Sequence, residues 1–246
     1  MSLIVQKYGG SSLRSPAHIQ KVAKKISDKK KEGHQLVIVV SAMGHTTDYL
    51  LKLAHEITPH PCSRELDMLL SAGERISMSL LAMALNQLGL SSISFTGSQS
   101  GIVTDTRHTD ARILEVKADR IKAELALGKT VIVAGFQGVS TTKEVTTLGR
   151  GGSDVTAVAL AVKLNAARCE FFKDVDGVYT KDPKTHHDAQ KLSCCDYVDV
   201  LKLVNEGATV FHPEALHLAK RYALPLYLSS TFGSNEGTVI QERAHV

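Results

Sequence analysis

Cysteine is scarce: four in 246 residues do not form a disulfide framework, so a cytoplasmic location is expected. Cys194-Cys195 follows His186-His187, but adjacent pairs lack the CxxC and HxxxH spacings of zinc sites, and no metal centre is expected. No apolar run reaches membrane-spanning length on inspection, and the chain opens directly on an apolar strand, so no membrane partner is expected. Charge of one sign is not in excess. A net +4 is too mild and dispersed for nucleic acid, and the densest basic run, Lys29–Lys31, sits at a helix end, where cations suit the dipole. There is no internal repeat, and no Cys/His or Ser/His/Asp arrangement whose context suggests an activated nucleophile. Two nucleotide motifs are absent despite near matches. Gly149-Arg-Gly151-Gly152-Ser-Asp154 begins like GxGxxG but has Asp where the third glycine belongs. Gly128-Lys129-Thr130 ends like a P-loop, but residue 123 is Ala and an amphipathic helix precedes it.

What is present is a hydrophobic content of 43% and glycine-rich polar loops placed after apolar strands. The densest such loop is Thr146–Thr156, TTLGRGGSDVT, which runs into the apolar VTAVALAVKL. Its glycines allow close backbone approach. Ser153 is expected to cap a helix starting near Asp154, whose amides and positive dipole end favour an anion. Arg150 adds a planar fork suited to a carboxylate or phosphate.

Strands are expected at Leu3–Gln6, Leu36–Val40, Ser92–Phe95, Thr130–Ala134, Cys169–Phe172, 226–229 and 238–240. Helices are expected from Pro16 to before Gly33, from about Asp48 to Ile57, and over Ser63–Leu88 with an interruption at Gly73. Others are expected at Ala118–Leu127, 154 to about 164, 196–206 and 213–222, while 111–116 fits strand or helix. This alternation predicts an α/β fold with a mostly parallel central sheet, and in such sheets ligands bind at the carboxyl ends of the strands.

The polar loops there carry Lys7, Glu74, Arg150, Asp154, Asp174 and Asp182, plus many amides. A cationic, amide-rich site with a few acids suits phosphoryl transfer, in which catalysis is mostly positioning and charge stabilisation. Lys7 on its glycine loop would steady the moving phosphoryl group, and carboxylates would order lysine and Mg²⁺. Ordinary turn chemistry remains an alternative for Asp182 before Pro183 and for Asp174 and Asp176 before Gly177.

KYGGSS at 7–12, SAMGHTTD at 41–48, SAGER at 71–75, FTGSQSGI at 95–102, GFQGV at 135–139, TTLGRGGSD at 146–154 and DVDGVYTKDP at 174–183 closely resemble the aspartate kinases, within the amino acid kinase fold family. The resemblance runs in order over essentially the whole chain and includes GATVFHP at 207–213, similar to the family's GAKVLHP. It implies a three-layer αβα sandwich and transfer of the ATP γ-phosphoryl group to the side-chain carboxylate of L-aspartate. The product would be 4-phospho-L-aspartate, which leads to lysine, threonine and methionine. Mg²⁺ would be held mainly through the nucleotide phosphates, and a homodimer is compatible.

The resemblance further implies one catalytic domain over 1–246, amino-acid-binding in its N-terminal part and nucleotide-binding from about 150. Lys7, Tyr8, Gly9 and Gly10 would hold phosphates, with Ser41 near the nucleotide. Thr47 and Glu74 would contact aspartate, Glu74 through the α-ammonium. Arg150 would clamp the α-carboxylate, helped by Gly151, Gly152 and Ser153, with Asp154 orienting the reacting groups. Phe172, Lys173, Asp174, Val178, Tyr179, Thr180, Lys181, Asp182 and Pro183 would line the adenine and ribose pocket.

Two departures stand out. Thr209 occupies the position of the family lysine that can reach the phosphates, and Lys173 stands where Ser or Thr is usual, so Lys173 is expected to supply the missing cation as a catalytic group. The sequence given ends at Val246, without the paired ACT-type regulatory domains, so lysine and threonine are not expected to inhibit this polypeptide. The competing readings are a glutamate 5-kinase or acetylglutamate kinase, and a non-catalytic aspartate- or nucleotide-binding protein. Glu74 together with Arg150 favours a free α-amino acid of aspartate length.

Overall fold

The computed structural model describes residues 2–183, 185–208, 210–233 and 236–242. Its main sheet contains β1 (Leu3–Tyr8), β2 (Gln35–Val40), β3 (Ser92–Phe95), β6 (Thr130–Ala134), β9 (Arg168–Lys173), β10 (Cys194–Cys195), β11 (Leu226–Ser230) and β12 (Thr238–Ile240). The spatial order is β10-β12-β11-β9-β1-β2-β6-β3, and every pairing is parallel except β11 with β12.

Strand periodicity divides the core into two layers. Ile4, Tyr8, Leu36, Ile38, Val40, Ile132 and Ala134 pack beneath α1 (Pro16–Lys31) and α4 (Ala72–Gln87). Val5, Val37, Val39, Val131, Val133, Phe171, Leu226 and Leu228 face α5 (Asp119–Ala126), α6 (Gly152–Lys163) and α8 (Pro213–Arg221). Because both faces are covered, β2 reads as an unbroken apolar run, and each such side chain contributes roughly 1.5–3 kcal/mol by leaving water. The fold is the expected three-layer α/β/α arrangement. At the N-terminus of α1, Ser15 accepts the His18 N–H and Pro16 opens the first turn, as the Ser-Pro pair predicts.

One open choice is settled and two local expectations change. The segment 111–116, which fits strand or helix, is strand: β5 (Ile113–Val116) joins β4 (Ile102–Thr104), β7 (Gln137–Ser140) and β8 (Val145–Thr147) in a second, four-stranded sheet ordered β5-β4-β7-β8. These strands are too short for their periodicity to declare itself. The long helical stretch breaks at Ser71, between α3 (Ser63–Leu70) and α4, rather than at Gly73. Gly73 is there for contact: a Cβ on it would lie 2.8 Å from that of Ala42. Finally, α2 (Thr46–Ile57) starts two residues earlier than expected, and the two-residue strand β10 has no pattern to read.

The segment Ser63–Gln87 is 25 residues long and meets the length and composition needed to cross a bilayer. That qualifies the expectation drawn by inspection. In this fold the segment is interrupted at Ser71, and α4 packs on α1, β3 and β6.

Candidate active site

Chain order diverges at β1: β2, β6 and β3 lie to one side, β9 and β11 to the other. Such a switch point opens a crevice at the carboxyl edge of the sheet. Two residues at that edge share one face. Lys7 follows Val5 by two positions on β1, and Lys173 follows Phe171 by two on β9. Val5 and Phe171 belong to the α6-side core, and the register pairs Lys7 with Phe171. Both ammonium groups therefore emerge beneath the N-terminal turn of α6.

Asp154 descends from that turn between them. Its Oδ1 lies 2.8 Å from Lys7 Nζ, an ion pair outside hydrogen-bond alignment, and its Oδ2 accepts a hydrogen bond from Lys173 Nζ at 2.8 Å. Lys7 is 7% exposed and Asp154 3%. Burial opposes ionisation of Asp154, but the Lys7 and Lys173 charges outweigh it and hold the carboxyl well below the usual range. Burial likewise lowers the Lys173 pKa, against the pull of Asp154. Lys173 also donates to the Val210 carbonyl and lies 5.0 Å from the centre of the Phe211 ring. The cluster carries two cations on one anion, a net positive charge held out of water.

The loop leading into α6 differs from expectation in one respect. The helix begins at Gly152 with Gly151 as N-cap, in the left-handed region at φ 76°, and no side chain caps it. Ser153 lies inside the first turn and packs against Gly135, where an added Cβ would lie 2.7 Å from its Oγ. A Cβ on Gly151 would meet the His212 ring at 2.6 Å, so both conformation and space require glycine there. Arg150 is exposed and has no side-chain partner among the described residues, which leaves its fork available beside an uncapped helix N-terminus.

Facing this turn, the glycine loop after β1 lies against the loop after β2. The Gly44 N–H donates to Gly10 O at 3.0 Å, and a Cβ on Gly10 would lie 2.9 Å from the carbonyls of Ala42 and Gly44. The Ser41 N–H donates to Tyr8 O, and Ser77 Oγ donates to Ser41 O, which pins the β2 loop to α4. Glu74, in the first turn of α4, is 3% exposed and accepts the Ala42 N–H through Oε1, while its Oε2 has no hydrogen-bond partner among the described residues. Burial pushes its carboxyl up to about 7, against the Ala42 amide and the nearby Lys7 charge. Glu74 is therefore protonated in the native protein over a range where it ionises in the unfolded chain. Stability is expected to fall as pH rises from about 4.5 to about 7, and Glu74→Gln to flatten that slope in denaturation midpoints. A pH-independent midpoint for the unsubstituted protein would contradict this.

The remaining candidates are spread more widely. Thr47 is half-buried in the first turn of α2. The side chains of Tyr8 and Phe172 are buried and stack at 4.8 Å on the α1 side of the sheet, so towards the crevice they offer backbone only. Asp174 is exposed beside Lys173. Val178 is core and its N–H donates to Thr238 Oγ1, while Tyr179 donates to Asp176. Thr180, Lys181, Asp182 and Pro183 are exposed, and Lys181 pairs with Asp188. Thr209 lies outside the described residues. Sequence reasoning gave no role to Ala42, His212 or Val210, whose parts are played by backbone groups and ring packing that only the fold brings in.

The profile of the amino acid kinase family matches residues 2–230. An aspartokinase of Bacillus sp. (strain MGA3) is 50% identical over 242 residues, covering 98% of this chain and 59% of that protein. The chain thus spans somewhat under two thirds of that relative's length. The crystal structure of aspartate kinase from Synechocystis superposes with a TM-score of 0.89 at 42% identity, over 98% of this chain and 40% of that one. E. coli aspartokinase III in complex with aspartate and ADP has the same fold, with a TM-score of 0.89 at 24% identity, over 99% of this chain and 65% of that one.

Proposed function

The chain belongs to the amino acid kinase family, and from that premise we propose that it transfers the γ-phosphoryl group of ATP to the side-chain carboxylate of L-aspartate, giving 4-phospho-L-aspartate. The observation that carries this reading is the buried Lys7–Asp154–Lys173 cluster beside the unpaired Arg150. A carboxylate is already nucleophilic, so the reaction needs no general base. Its difficulty is bringing two anions together, and preorganised cations and amides meet that difficulty. Lys7 and the Gly9–Gly10 loop receive the phosphates, and Lys173 adds a second cation. Asp154 holds both ammonium groups in place, and its charge opposes the effect of burial on Lys173. Arg150 takes the α-carboxylate, and Glu74 the α-ammonium through its unpartnered oxygen. Asp154 already accepts two cations, which leaves the nucleotide phosphates as the main ligands of Mg²⁺. The aspartokinase III complex with aspartate and ADP supports this choice of substrates. A cytoplasmic site of action fits the free cysteines.

The test is ADP release from ATP and Mg²⁺ with hydroxylamine present to trap an acyl phosphate. Hydroxamate is expected with aspartate but not with glutamate or N-acetylglutamate. Turnover of either of those instead would move the acceptor assignment to the corresponding kinase, and binding without turnover would remove the enzyme reading. In the same assay, Lys173→Ala is expected to weaken ATP binding and lower kcat, each by about tenfold or more, for loss of a charge-assisted contact. Unchanged values would take Lys173 out of the mechanism.

A further inference from the structure

Among the described residues outside the cluster, one carboxylate is fully buried without a lysine or arginine. Asp67, on α3, is 0% exposed. Its oxygens lie 2.6 Å from His108 Nδ1, accept the Thr109 N–H at 3.0 and 3.2 Å, and accept the Thr147 hydroxyl at 2.5 Å. Three separate segments therefore converge on it: α3, the loop between β4 and β5, and the end of β8. A buried carboxylate in this state is costly unless each lone pair is used, so the network has essentially one low-energy arrangement.

That arrangement leads directly to the substrate loop. Thr109 is held in the left-handed region at φ 67°, and Ala111 N–H donates to Thr147 O. One residue beyond Leu148, Gly149 rests on the shelf so formed: a Cβ there would lie 3.0 Å from Asp110 Oδ1 and 3.5 Å from Thr109 O. Arg150 follows immediately. On the other side, Ser71 closes α3 and opens α4, its carbonyl accepts Gln137 Nε2, and Glu74 follows in the first turn. Asp67 thus stands one turn before Ser71, whose N–H its carbonyl accepts, and so next to the turn that carries Glu74, and it grips the shelf from which Arg150 departs.

We propose that Asp67 is a positioning residue for the amino-acid site: through His108, Thr109 and Thr147 it fixes where Arg150 stands relative to Glu74 and to the Lys7–Lys173 cations, and so how far the α-carbon of the acceptor is held from the phosphates. The assignment of Glu74 and Arg150 to the α-ammonium and α-carboxylate rests on the proposed function. The anchoring of the loop does not.

The experiment compares the unsubstituted chain with Asp67→Asn and with the milder Thr147→Val, which removes one donor and leaves the carboxylate in place. Amide hydrogen exchange over 148–152 is read against β1 and β2 as internal references. Steady-state KM values are read for aspartate and ATP, with glutamate as a competing acceptor. Both variants are expected to exchange faster in the loop only, to raise the aspartate KM by about tenfold or more with the ATP KM unchanged, and to discriminate less against glutamate. Unchanged exchange over 148–152 in both variants overturns the proposal, as does a parallel rise in both KM values, which would mark a purely structural role. Failure of the unsubstituted chain to phosphorylate aspartate would count against the functional reading alone. The exchange comparison would still decide whether Asp67 anchors the loop.

Discussion

Asp154→Asn is expected to lower kcat by about a hundred- to a thousandfold, the range seen when one preorganised charge group is removed from a transition-state site. Asparagine keeps the shape but not the charge. Lys7 and Lys173 now share one anion, each at 2.8 Å from a carboxylate oxygen. Without it, two buried ammonium groups would face each other, and either one would lose its proton or the pair would swing apart. Neither outcome preserves the phosphate site.

The same change should also destabilise the fold by about 3–5 kcal/mol, the usual consequence of leaving buried charge without its partner. The two effects can be separated. Adding Lys173→Ala to Asp154→Asn removes one of the stranded cations, so the double variant should recover stability but not activity, a coupling expected of groups in direct contact. Denaturant midpoints and kcat for the four proteins of this cycle provide the check. A normal midpoint and normal kcat in Asp154→Asn would dismiss the charge-organising role. The pH response has a definite sign as well. Asp154 is held below its ordinary pKa, so its contribution is fully present above the ordinary value and is lost as pH falls from there through the depressed one. This is opposite to Glu74, whose raised carboxyl costs stability as pH rises.

Arg150→Ala is expected to raise the aspartate KM by about 10- to 100-fold, corresponding to loss of a charge-assisted, two-pronged contact worth about 1.5–3 kcal/mol. The ATP KM should stay unchanged. Stability should hold within about 0.5 kcal/mol, because Arg150 is exposed and supports nothing in the free protein. Arg150→Lys retains the charge but not the planar fork and should fall between the two. An aspartate KM unaffected by Arg150→Ala would remove this residue from the substrate site. A large drop in stability would instead show that its role is structural.

Much of this site was legible because its parts are local. A β-strand that ends in Lys7-Tyr8 and is followed by two glycines, and a glycine-rich turn that runs into an apolar helix, announce an anion site through backbone physics alone. The continuous apolar run of β2 identified a strand covered on both faces. Ser153 was misread as a cap because a serine before an apolar helix is the commonest capping pattern, whereas here Gly151 takes the left-handed position and the helix starts one residue earlier than Ser153. Tyr8 illustrates a different limit. It lies next to Lys7 in sequence, but alternation sends its ring to the opposite face, into contact with Phe172.

By itself, then, the sequence determined the α/β class, most strands and helices of the main sheet, and the chemical character of its loops, since all of these follow from residue periodicity and turn chemistry within a few residues. Only the tertiary structure decided that Lys7 and Lys173 are partners. They are 166 positions apart, and what joins them is the parallel register of β1 with β9, a pairing that nothing in either strand specifies alone. It likewise decided that Asp67 serves the substrate loop, because a buried carboxylate finds its donors wherever the packed chain delivers them.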